Sequence, residues 1–531
     1  MRRYRIFAIG LLLISCLTVV AQVGDLPRST PEQEGVNPAL ISRLYQILDT
    51  CPDVDVHHML ILRHGKVISE VHASPYRATD KHLLYSASKT VTAMAVGLAV
   101  DDGLLSIDDK VSKYLRDKMP EVLSPALDSL TVRHMLMMAA GRKEDTRIVT
   151  SRNDWLTSWF KGDFHAVGKQ FSYDSMVTYA LSMIVGRVTG KPMLEYLRER
   201  IFNPLHITDV EWELGADSVE LGGWGLLMHT ESQAKLGQLM LQGGQWNGKQ
   251  LLSRQWIHDM TQRYLSTNVK SPTKLPLIEK VKRWLRKVRN YVVSLFTGCN
   301  NSNYFSGYGF QTKAVLKPWG EAFLAAGYGG QLIYVMPKCD LVIAINGRAL
   351  SYGVELNAFY DCIVVPLLSG EMPFDSIPMP SLAIMPPQGA PSHQLEKRLF
   401  SSRLELEDNL LGIKTIDVRP QGDDRQFIMT DYNGTLRAVA AHGQWRITTS
   451  DEHPLYVAES AYRLMNISGP FTSAAAYAWQ GDTLAFRLDW LGGGDNRRLR
   501  MAFDGDRVTV LACDDFDEEL TDTIHGIIKP M

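Results

Sequence analysis

The stretch from His82 to Val111, HLLYSASKTVTAMAVGLAVDDGLLSIDDKV, decides how the rest of this chain is read. From Thr90 to Val100 the residues are apolar or small on nearly every side, so the pattern predicts a helix buried at the centre of a domain. Asp101-Asp102-Gly103 supplies its stop. Ser86 and Lys89 stand three positions apart at its start and therefore share one face, about one turn apart. A serine hydroxyl is a weak nucleophile at neutral pH and needs a base within hydrogen-bond reach. A lysine amine can be that base once burial or nearby cations hold its pKa down. The helix start adds a free backbone N–H and the positive end of the dipole, both suited to an oxyanion. Taken alone, Ser-x-x-Lys is a weak pattern that an N-capping serine and a solvated lysine satisfy equally well.

Outward from this helix, Met59 to Arg63 and Val67 to His72 flank His64-Gly65 as a hairpin. Helical patterns dominate downstream to about residue 265. Phe323 to Met336 and Leu341 to Asn346 predict a second hairpin across Pro337-Lys338, and a helical run from Val354 to Leu368 follows. Strands at both ends with helices between them predict an α/β (α+β) domain over residues 22–370, an antiparallel sheet flanked by helices plus a helical subdomain. Six prolines between Pro373 and Pro391 mark residues 371–395 as a linker. Residues 396–531 read as short strands, with hairpin signals at Asn433-Gly434 and Asp504-Gly505, so a small all-β sandwich or barrel is expected.

Composition narrows the function. A chain of 531 residues that is 45% hydrophobic and 21% charged, with a formal charge of −2, is an ordinary globular protein of at least two domains. It lacks the basic balance of a global nucleic-acid binder. Residues 1–21 read as a signal peptide, with a basic MRRYR, an apolar run and small residues before a cleavage point after Ala21. Leu13-Ile14-Ser15-Cys16 also fits a lipobox, which would leave a lipid anchor on Cys16. Either reading makes the protein exported, to the periplasm or cell envelope. The remaining cysteines (Cys51, Cys299, Cys339, Cys362 and Cys513) are scattered and odd in number, and there is no Cys-x-x-Cys and no His-Glu-x-x-His, so metal catalysis has no support. Residues 277–296 carry six cations against Glu279 with apolar residues at helical spacing, which reads as a surface helix or as an amphipathic contact to an anionic membrane.

The Ser-x-x-Lys stretch has company. LRHGKV (62–67) precedes it, and TVRHMLMMAAG (131–141), FSYDS (171–175), VTGKPMLEYLRERIFNPLHITDVEW (188–212), LGGWGLLMHT (221–230), GYGFQ (307–311) and AAGYGGQLIYVMP (325–337) follow in order. Together they resemble the serine β-lactamase-like superfamily, whose opening motif is Ser-x-x-Lys. The pattern is most similar to nylon-oligomer hydrolases and carboxylesterases of that fold. The resemblance implies Ser86 as nucleophile and Lys89 as base. It implies Tyr173 as their proton-transfer partner, its phenolate stabilised beside a cationic lysine. Ser175 stands where the family's Tyr-x-Asn motif has Asn. The third element aligns with Tyr328-Gly329-Gly330, and the N–H of Gln331 would then be a second oxyanion donor. A cation is missing at Tyr328, which favours ester or amide hydrolysis over binding of a carboxylate-bearing antibiotic. The implied reaction needs no cofactor and takes a small-molecule ester, amide or peptide. A catalytically silent ligand-binding relative and a peptidoglycan DD-peptidase are the alternatives. GGQWNGKQ (243–250) lacks the Ser or Thr of a phosphate loop and reads as a surface turn, and no Gly-x-Ser-x-Gly elbow occurs.

Overall fold

The computed structural model describes residues 25–531 apart from 53, 143, 146, 151–153, 268–304, 318–319, 350–352, 371–376, 432–433, 452–465, 468, 495 and 514–520. The leader and the basic run 277–296 therefore lie outside the described residues, as does Cys299.

An eight-stranded sheet runs in the order Lys66–His72, Val54–Arg63, Leu341–Ala349, Gln331–Met336, Gly320–Gly327, Lys313–Lys317, Phe305–Tyr308 and Leu265–Ser266. Its pairs are antiparallel throughout. The early strand Val54–Arg63 pairs with the late strand Leu341–Ala349, from Val54 opposite Ala349 to Arg63 opposite Leu341, so the sheet is closed by the two ends of the domain. The expected hairpin turn at His64-Gly65 has φ of 50° and 73°, the paired positive values of a tight hairpin loop. One expectation is corrected. Phe323 to Met336 is not a single strand, because Gly329 and Gly330 adopt φ of 72° and 86° and fold it into a hairpin with Gly327 opposite Gln331.

Strand alternation divides the core into two layers. Phe323, Ala325, Ile333, Val335, Val342 and Ala344 face the central helix Ser88–Asp101 and the helical subdomain. Leu324, Ala326, Leu332, Tyr334, Ile343 and Ile345 pack with residues of the helix Pro38–Thr50 and the helical run that begins at Gly353. Every residue of the central helix from Ser88 to Ala99 is buried, including the polar Ser88, Lys89, Thr90 and Thr92. A small sheet of His82–Leu83, Leu226–Met228 and Val210–Trp212 leads into this helix.

Ten further strands between Ser402 and Pro530 form one sheet among the described residues. Ala441 and His442 pair in parallel with Ala476 and Tyr477, which closes the sheet into a barrel around Leu404, Ile416, Phe427, Phe486 and Leu499. The Pro-rich segment is pinned at both sides, with Ile384 N–H donating to Ser74 O at 2.8 Å and Ala390 bonded to Trp479. The barrel packs on the first domain. Arg487 pairs with Asp489 at 3.0 Å and lies 3.7 Å from Asp55, which also takes Arg348 at 3.0 Å. No helix among the described residues is long and apolar enough to cross a membrane.

Candidate active site

Ser86 is the middle residue of a single 3₁₀ turn, Tyr85–Ala87, that runs directly into the central helix. The small sheet holds this turn, since Leu84 N–H donates to Leu226 O at 2.8 Å and Leu226 N–H donates to Ser88 Oγ at 3.2 Å. One helical turn on, Lys89 Nζ lies 2.9 Å from Ser86 Oγ, 3.2 Å from Ser175 Oγ and 2.6 Å from the Gly223 carbonyl. Lys89 is 1% exposed. Burial disfavours its charged form and brings its pKa down to about 7, against the opposing pull of Glu144 and Asp174. The amine is thus available as a proton acceptor near neutrality.

Tyr173 approaches from the helical subdomain and donates through Oη to Ser86 Oγ at 2.7 Å. Asp174 aims it by capping the helix Ser175–Thr189, accepting from Met176 N–H at 2.9 Å and from Trp159 Nε1–H at 2.7 Å. Asp174 is fully buried, and its carboxyl is raised to about 6 by that burial. Burial pushes the Tyr173 phenol well above its ordinary range. This differs from the expected phenolate beside a lysine cation. Burial opposes charge on both groups, so the phenol stays protonated and the amine can lose its proton near neutrality. Ser175, where the family has Asn, keeps its contact to Lys89 through its hydroxyl.

The third element is a tight turn. Tyr328 is 52% exposed and meets Tyr85 edge to face, with ring centroids 6.0 Å apart. Gln331 is fully buried, and its side-chain amide donates to Tyr328 O at 3.2 Å, Gly329 O at 3.0 Å and Gly347 O at 2.7 Å. Asn346 Nδ2 donates to its Oε1 at 3.0 Å, tying the turn to Thr230 and Gln233 of the helix Thr230–Leu241. Gln331 therefore sets the shape of the Tyr328-Gly329-Gly330 turn through its side chain.

Several residues here were not singled out from the sequence. Gly327, the last residue of its strand, lies so close to the nucleophile turn that a Cβ would come 2.1 Å from Leu84 O. Gly223 supplies the carbonyl for Lys89. Glu144 accepts from Ser175 N–H at 3.0 Å. Lys313, on the neighbouring strand, is lowered to about 7 by burial and by Lys89. Glu355 is buried beneath Gly330, with neither carboxylate oxygen hydrogen-bonded among the described residues and its pKa raised by burial. Gly223 and Gly327 lie within the landmarks at 221–230 and 325–337, but Glu144, Lys313 and Glu355 are lone residues that only spatial proximity reveals. Among the described residues no group of three His, Cys, Asp or Glu could hold a metal ion.

Comparison with known proteins places this geometry. The family model described as Beta-lactamase matches residues 58–349, more than half of the chain. The 6-aminohexanoate-dimer hydrolase of Paenarthrobacter ureafaciens is 26% identical over 273 residues, covering 46% of this chain and 67% of that protein. Protein flp of Staphylococcus aureus (strain NCTC 8325 / PS 47) is 28% identical over 175 residues, or 29% of this chain and only 34% of its own length. A putative beta-lactamase structure from Bacteroides dorei aligns at 17% identity with a TM-score of 0.48, over 62% of this chain and 98% of that one. With the family model spanning the stretch that carries Ser86, Lys89 and Tyr173, this chain belongs to the beta-lactamase family of serine hydrolases.

Proposed function

We propose that this protein is an exported serine hydrolase that cleaves an ester or amide of a small molecule through an acyl-enzyme on Ser86. The observation that carries the reading is the convergence of two buried proton-transfer groups on one hydroxyl, Lys89 Nζ at 2.9 Å and Tyr173 Oη at 2.7 Å from Ser86 Oγ. Both distances are within reach for proton transfer. The neutral amine takes the Ser86 proton as Oγ attacks the carbonyl carbon. Backbone N–H groups at Ser86 and at the Gly327 to Gln331 strand end receive the oxyanion. Collapse of the tetrahedral adduct breaks the bond to the leaving group, which is protonated from Lys89 by way of the Tyr173 hydroxyl. Water then attacks the acyl-enzyme with Lys89 again as base, which regenerates Ser86 and releases the acid. No cofactor enters these steps.

A fluorophosphonate probe tests the reading, because it needs only an activated nucleophile and an oxyanion site. The mass increase is expected on the peptide holding Ser86, and Ser86→Ala is expected to abolish it. Folded wild-type protein that stays unlabelled between neutral and mildly alkaline pH would overturn the hydrolase reading in favour of ligand binding. Export is tested separately: intact mass of the secreted protein should begin at Gln22, or show a lipid on Cys16.

A further inference from the structure

We infer that Ile467 of the C-terminal barrel is a positioning residue for the nucleophile, acting through the ring of Tyr85. The inference rests on the reading of Ser86 as nucleophile.

Tyr85 has φ of 46°, the left-handed region, which a bulky aromatic residue adopts only where its surroundings fix it. Tyr85 is also the residue bonded to the N–H of Ser86. Any relaxation of its φ swings Ser86 Oγ away from Lys89 and Tyr173 and turns its N–H off the oxyanion position. Besides the edge-to-face ring of Tyr328, Tyr85 belongs to a small apolar cluster with Leu83 and Leu227 from the first domain and Ile467 from the second, with Phe471 packed against it. Ile467 is 5% exposed within this cluster.

Two further attachments from the barrel frame the same spot. Asn466, the residue before Ile467, accepts from Leu214 N–H at 2.8 Å through Oδ1 and donates from Nδ2 to Trp212 O at 2.9 Å. Its carboxamide thus caps the end of the strand Val210–Trp212. Gly492 O accepts from Leu83 N–H at 2.9 Å. Gly492 thus meets the strand entering the nucleophile turn, Asn466 the small sheet beside it, and Ile467 the cluster that holds the strained residue.

The test uses the full-length protein and compares wild type with Ile467→Ala and Ile467→Val. Each is folded by circular dichroism at the assay temperature, and each is measured for the rate of fluorophosphonate labelling at Ser86 and for kcat and KM on p-nitrophenyl butyrate. Ile467→Ala is expected to lower the labelling rate and kcat by about 10- to 100-fold, the scale of a small misplacement of reacting groups, with KM changed by less than about threefold. Ile467→Val is expected to restore most of the loss. If Ile467→Ala does not fold, Ile467→Thr replaces it, and the labelling rate should again fall below that of Ile467→Val. A lowered melting temperature with labelling unchanged would show a merely structural contact and overturn the inference, while leaving the proposed function standing. Absence of labelling in the wild type would overturn the role of Ser86 and this inference with it.

Discussion

Lys89 Nζ lies 4.8 Å from the centroid of the Tyr173 ring, and both side chains end on the same Ser86 oxygen. The lysine nitrogen thus lies over the aromatic face while it reaches the nucleophile. Burial pushes the lysine pKa down and the tyrosine pKa up, so proximity does not produce an ion pair. Once Lys89 has lost its proton, the pair is one amine that accepts and one phenol that donates.

The first prediction is a pH profile. The base form of Lys89 predominates above a pKa of about 7, so kcat/KM for an activated ester should rise with pH through that value and level off above it. A rate that stays flat from pH 5 to 9 would remove Lys89 as the base.

Lys89→Met should separate catalysis from stability. Turnover should fall by at least about 10²-fold, the low end for loss of a general base. The stability effect has a definite sign. In the folded protein the Lys89 pKa is about 7, below its ordinary value of 10.5, so the unfolded chain binds the proton more tightly between those limits. Wild type therefore loses stability as pH falls from 10.5 toward 7 and suffers no further loss from this group below that. Melting temperatures of Lys89→Met relative to wild type should climb as pH is lowered from 9 to 7 and then stay level.

Tyr173→Phe removes one hydroxyl and leaves the buried ring. We expect kcat to fall by about 10²-fold with KM altered by less than about threefold, because the hydroxyl acts on Ser86 Oγ in proton transfer. Equal losses in binding and turnover would instead make Tyr173 a substrate contact.

Gly327→Ala places a methyl against the Leu84 carbonyl, at 2.1 Å if nothing moves. Backbone cannot yield as a flexible side chain does, so the strand end must separate from the nucleophile turn. Fluorophosphonate labelling of Ser86 should drop by about tenfold or more, as expected for a displaced oxyanion donor. Labelling at the wild-type rate would place the second donor elsewhere.

The basic run from residue 277 to 296 yields a prediction from sequence alone. If it contacts anionic lipid, the mature protein should co-sediment with anionic but not neutral vesicles and be released by salt. Equal recovery in the supernatant with both lipids would leave it a solvated surface segment.

The sequence by itself determined the central helix, its stop and the pairing of Ser86 with Lys89, because these depend on spacing along one element. It also determined the hairpins at His64-Gly65 and around residue 505, where the local turn residues leave the chain little choice. The order of landmarks was enough to name the family, since each landmark is short but their succession is long. The break at Gly329-Gly330 was not read correctly, because an apolar run looks the same whether it continues or doubles back. The charges of Lys89 and Tyr173, the grip of Gln331 on its turn, and the approach of Gly327 to Leu84 were decided only by the tertiary structure. A pKa is set by how much water remains around a group, and a contact by which distant segments share a wall. Asn466 and Ile467 show this most directly: some 380 residues after Tyr85 in the chain, they carry no motif, and only the docking of the barrel brings them to the nucleophile turn.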